Sequence, residues 1–128
     1  MKKLIATLLV LCSFSVSAEW VLVKSNAEHD KTFFDPKTIG IYEKYRKVWV
    51  LVNFATPTQM GTDNAMSKST YYKFDCKDSR YAVVAELFSS EPGGGGKVLK
   101  NVSESEDKWM SASKGTTLHS ALELVCAK

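Results

Sequence analysis

Apolar and polar positions alternate with a period of two along most of the chain, which predicts strands rather than helices. The strongest signal is at residues 48–54, where Val48, Val50, Val52 and Phe54 point one way and Trp49, Leu51 and Asn53 the other. Apolar side chains on both sides predict a central strand covered, at least in part, on both faces. Shorter strands are predicted at residues 19–24, 32–35, 38–42 and 97–102, with Pro36 ending the second of these. Gly40 marks a bulge or a close backbone approach in the third. Residues 69–76 and 80–89 form a further pair across the short connection Lys77-Asp78-Ser79. Within that pair Thr70, Tyr72, Phe74 and Cys76 share one face, and Tyr81, Val83, Ala85 and Leu87 share another.

The stretches between strands have turn and loop character. Residues 43–47 are expected to be an exposed hairpin turn. Residues 55–66, with Pro57, Gly61, Asp63 and Asn64, are expected to be a long loop, and 91–96 a flexible link. Residues 103–113 are polar except for Trp109 and Met110, which are expected to dock locally on the core.

The period changes near the C-terminus. Leu118, Ala121, Leu122 and Val125 form a stripe at helical spacing, with Thr116 or Thr117 as N-cap after Gly115. Cys126 lies at the edge of the stripe; His119, Ser120 and Glu123 lie outside it. A helix this short is marginal alone in water, so it must pack. The doubly apolar strand at 48–54 offers the face. The expected fold is α+β, mainly β: one sheet of about six strands with the helix laid on one side.

Composition then divides the chain. Lys2 and Lys3, the apolar residues 4–11 broken by Thr7, and Val16-Ser17-Ala18 make residues 1–18 an expected cleaved signal peptide. The apolar run is shorter than the roughly 20 residues of a membrane span. Cys12 suggests lipid attachment, but Leu11 stands where that processing requires a small residue. Residues 19–128 are then one exported domain. The whole chain has 17 basic and 14 acidic residues; without Lys2 and Lys3 the counts are 15 and 14, a net +1. A domain so close to neutral is no general polyanion binder.

Export leaves two cysteines, Cys76 and Cys126, in an oxidising compartment, with one possible pairing between them. Closing a loop of about 50 residues stabilises by about 4 kcal/mol in the chain-entropy picture.

Catalytic and cofactor chemistry find little support. The glycines before Lys97 lack the phosphate-loop pattern, because Glu91 and Val98 stand where glycine and a hydroxyl residue are needed. The chain has two histidines, His29 and His119, and neither comes with a metal-binding or triad spacing. No catalytic residue, metal site or cofactor is expected. Tyr42, Lys44, Tyr45, Arg46, Lys47 and Trp49, with Tyr71, Tyr72 and Lys73, form a basic and aromatic cluster. Such mixtures can hold nucleic acid or sulfated polysaccharide; here an exposed turn beside a packed aromatic sheet face is the favoured reading, with no nucleic acid.

Certain segments taken together resemble a known family. These are Trp20-Val21-Leu22-Val23, Phe33-Phe34-Asp35-Pro36, Lys47 through Asn53, Asp75-Cys76, and Leu124-Val125-Cys126. The chain is similar over residues 19–128 to the surface-adhesin protein E-like domains of Gram-negative bacteria. The resemblance implies an antiparallel sheet with the C-terminal helix tethered across one face by Cys76 and Cys126. It implies a non-enzymatic exported binding module of the bacterial envelope, taking host matrix or plasma proteins such as vitronectin, laminin or plasminogen. The alternative is a periplasmic accessory or structural protein whose partner is another envelope protein. Charge and expected exposure make Lys44, Arg46 and Lys47, with Lys97 and Lys100, the candidate partner contacts. The location would be the periplasm, the cell surface or the medium.

Overall fold

The computed structural model describes residues 19–25 and 29–128. The expected signal peptide and Cys12 lie outside the described residues. The strands are β1 (Val21–Ser25), β2 (Lys31–Phe34), β3 (Gly40–Tyr42), β4 (Tyr45–Met60), β5 (Asp63–Asp75), β6 (Arg80–Ser89), β7 (Val98–Ser103) and β8 (Met110–Ser111). One helix, α1 (Thr117–Cys126), follows them. Among the described residues, eight strands form a single sheet in the order β1-β2-β4-β5-β6-β7, with β3 added to β4 and β8 to β6. Every pairing is antiparallel.

The core lies between α1 and the sheet. Phe34, Val48, Val50, Tyr72 and Phe74 from the strands meet Ala121, Leu122 and Val125 from the helix, with Ala112 beside them. Val48, Phe74, Ala121 and Val125 are completely buried. The helix begins where Thr116 Oγ1 accepts a hydrogen bond from the His119 N–H (3.2 Å). The Cys76–Cys126 disulfide ties its last turn to the end of β5. The expected lid-on-sheet arrangement and its tether are present, and of the two candidate N-caps, Thr116 and Thr117, the cap is Thr116.

Four local expectations are corrected. Residues 55–66 are not a loop: β4 and β5 extend into a long hairpin, pairing Thr58 with Ala65 and Met60 with Asp63. Pro57 and its neighbours do break the ladder, between Asn53 and Thr58, but pairing resumes beyond them. The turn at 43–47 is shorter than expected, because Tyr42 already pairs with Tyr45; Arg46 and Lys47 therefore belong to β4. In β6 an extra residue falls between the partners of Tyr72 and Tyr71, which are Val83 and Ala85. This bulge reverses the alternation, so Tyr81 and Val83 face the core while Ala85 and Leu87 face away from it.

The fourth correction concerns the glycine-rich link, which is a fastened cap. Its 3-10 turn at Pro92–Gly94 lies on the sheet face opposite α1. There Gly93 N–H donates to Asn53 Oδ1 (2.7 Å) and Gly94 N–H to Ser67 Oγ (3.0 Å), while Ser67 Oγ donates to the Glu91 carbonyl (2.6 Å). Gly94 adopts φ +76°, and a Cβ there would stand 3.2 Å from Ser69 Oγ.

Candidate functional site

With one face closed by α1, the chemistry gathers on the far face. The β4–β5 register sets Lys47 beside Lys73, Trp49 beside Tyr71, Leu51 beside Ser69 and Asn53 beside Ser67. These positions share that face because side chains alternate along each strand.

At one end, cations and rings interleave. Tyr45 and Trp109 stack at 5.4 Å. Lys73 Nζ lies 4.6 Å from the Tyr45 centroid and 5.4 Å from that of Trp109, and the Arg80 guanidinium 4.6 Å from Trp109. Lys47 Nζ sits 5.2 Å from the Tyr42 ring. Tyr42 folds back over Gly40, where a Cβ would come within 2.7 Å of its ring. The glycine thus admits a side-chain ring, where a bulge or a close backbone approach was expected. Each cation–ring contact contributes about 0.5–1 kcal/mol when partly exposed.

Two carboxylates organise the cations. Glu106 reaches across from the segment after β7 to Lys47 (3.0 Å) and Lys73 (3.6 Å). The hydrogen bond from Lys47 holds Glu106 below the usual carboxylate range, and the same bond raises Lys47. Asp75 has a fully buried side chain. It accepts from the N–H groups of Lys77 (3.0 Å) and Asp78 (3.1 Å) and from Arg80 Nε (3.0 Å) and Nη2 (2.9 Å). Burial pushes its pKa upward, but these donors outweigh burial and leave it lowered. On the core side, burial pushes Tyr72 up to about 12.

Further along the far face is a shallow groove of about 320 Å³, at the lower end of typical ligand pockets. Trp20, Asp35, Trp49, Ser69, Gly93 and Gly94 are among the residues that line it. Trp49 is braced by Tyr71, with ring centroids 5.0 Å apart. Its backbone N–H donates to Thr38 Oγ1 (3.1 Å) and its carbonyl accepts from Asp35 N–H (3.2 Å). A second cavity, about 210 Å³, lies near β8 among Val83, Glu86, Val102 and Met110.

The structure does not bring the five candidate cations together. Lys44, Arg46 and Lys47 lie at the β3–β4 hairpin; Lys97 and Lys100 lie at β7, beyond β5 and β6. Lys44 approaches Asp75 (3.9 Å), and Lys47 is held by Glu106. Arg46 Nη1 donates to the carbonyls of Glu43 (3.0 Å) and Tyr45 (3.1 Å). Lys97 and Lys100 are exposed. His119 Nδ1 stands 3.5 Å from Glu123 along the helix. Among the described residues, no group of three or more His, Cys, Asp or Glu side chains could hold a metal ion. No helix among them is long and apolar enough to cross a membrane.

Sequence reasoning did not find Trp109, Glu106 and Asp75 as members of this cluster, nor the groove. The available signals were Trp109 inside an otherwise polar segment, and Ser67 and Asn53 as polar positions on strongly β-forming runs.

A strand-rich sheet with one disulfide-tethered helix defines a small disulfide-bonded β domain. Over residues 20–127 the chain matches the surface-adhesin protein E family, and it belongs to that family. Solved structures of Haemophilus influenzae protein E share the fold. Crystal form II superposes with a TM-score of 0.65 at 19% identity, covering 88% of this chain and 91% of that one. A selenomethionine form gives 0.65 at 19% identity, covering 89% and 90%. No curated protein sequence matches.

Proposed function

We propose that the protein is an exported, non-enzymatic binding module of the bacterial envelope that engages a protein partner through its far face. Membership of a surface-adhesin family supports an adhesin-like role, and host matrix or plasma proteins are the partner class this reading names. The observation that carries it is the division of labour across the sheet. α1 and the disulfide occupy one face, whereas the other carries aromatic rings and Arg80, types enriched at protein interfaces, with Lys47 and Lys73 set among them. Tyr42, 52% exposed, is the most available ring of that face. Lys44 at the hairpin, and Lys97 and Lys100 at β7, are proposed as peripheral contacts that steer encounter more than they hold the complex.

The test pairs surface accessibility with binding. Intact cells are treated with external protease, and purified residues 19–128 are passed over immobilised vitronectin, laminin and plasminogen at physiological salt. Surface exposure and saturable binding are expected. Protein confined to the periplasm, with no binding to any of the three, would replace this reading with that of an accessory protein for another envelope component.

A further inference from the structure

We infer that the groove between Trp20, Trp49 and the Gly93–Gly94 turn receives a cationic side chain, arginine or lysine, from the protein partner. The inference rests on the binding-module reading and names the chemistry that one subsite would recognise. Its starting point is Asp35. This residue lines the groove and is only 6% exposed. Its Oδ1 accepts from the Lys37 N–H (3.0 Å). Among the described residues no ion pair reaches the carboxylate, and the neighbouring Lys37 turns instead to Glu19 (3.9 Å). The other oxygen of Asp35 is not sealed inside the protein but opens on the groove, where a mostly buried carboxylate gains from a cation or further donors.

The surroundings favour a cation. Trp20 and Trp49 supply indole rings at the same groove, and an indole is the strongest of the aromatic partners for a positive charge. Among the described residues no Lys or Arg lines the groove, so none of them supplies a counter-charge at that point. An anionic ligand would meet Asp35 unfavourably, and a neutral ring would leave the carboxylate unpaired. Ser69, which also lines the groove, makes no hydrogen bond through its hydroxyl among the described residues and is available to a guanidinium or ammonium. The site is built on rigid parts: the backbones of Asp35 and Trp49 are hydrogen-bonded, and the glycine turn is fastened to Ser67 and Asn53.

The probe is N-acetyl-arginine amide, titrated into the mature domain while NMR follows the indole N–H signals of Trp20 and Trp49. The citrulline counterpart, similar in shape and uncharged, is the control, and methyl glucoside tests a neutral ring. Saturable shifts of the indole signals with the arginine compound are expected, with the citrulline compound at least about tenfold weaker. Asp35→Asn keeps an oxygen for the Lys37 N–H, because asparagine caps as well as aspartate does. It should nevertheless weaken arginine binding by about tenfold or more, as loss of a buried charge partner does. Trp20→Ala should also weaken it, read on Trp49. Equal binding by Asp35→Asn, equal binding of citrulline, preference for the glucoside, or no saturation in the wild type would each overturn the inference. The titration does not depend on any matrix protein, so it and the broader binding reading can fail separately.

Discussion

Asp75 shows how one residue can serve fold and surface together. Its carboxylate closes the β5–β6 turn through two backbone N–H groups and fixes Arg80, which in turn lies over Trp109. Asp75→Ala leaves those donors without their acceptor and should destabilise the domain by about 2–4 kcal/mol in urea melts. Because Asp75 and Glu106 both titrate below their ordinary values in the folded protein, they bind protons more weakly folded than unfolded. Their contribution is therefore present at neutral pH and is lost as pH falls below about 4. Stability measured from pH 7 to pH 3 should fall at the acid end, and less steeply in a variant carrying both Asp75→Asn and Glu106→Gln. An identical acid limb in that variant would mean that other carboxylates set it.

At the scale of elements, α1 is held by three separable devices: its cap, its apolar stripe and its tether. Thr116→Ala should cost about 1 kcal/mol. Leu122→Ala, 4% exposed in the core, should cost about 2–4 kcal/mol in the same urea melts. Cys76→Ser removes the closure of a 50-residue separation and should cost about 4 kcal/mol. A loss well below that would mean that tertiary packing alone positions the helix. The helix and most strands were legible because their periodicity reports burial directly. The hairpin tip around residues 58–64 was not, since it is mostly polar and exposed and follows the break at Pro57, and its pairing rests on backbone bonds that leave little hydrophobic trace. The bulge opposite Tyr71 and Tyr72 was also hidden: one extra residue shifts the face of Ala85 and Leu87 without altering the composition of the run.

For the whole molecule, the outcome is a sheet with one structural side and one chemical side. The basic and aromatic residues were visible as a cluster in the sequence, but the sharing of cations among rings and carboxylates depends on strand register and on the return of residues 104–109. That return takes Lys47 and Lys73 into ion pairs with Glu106 and leaves Tyr42 at the surface. The most direct test of the central claim compares wild type, Tyr42→Ala and Leu124→Ala for binding to immobilised vitronectin, laminin and plasminogen. Tyr42 lies on the far face, while Leu124 is 41% exposed on the helix. The account predicts saturable wild-type binding to at least one protein, weakened about tenfold by Tyr42→Ala and unchanged by Leu124→Ala. Loss confined to Leu124→Ala, or no binding at all by the folded, oxidised domain, would contradict it.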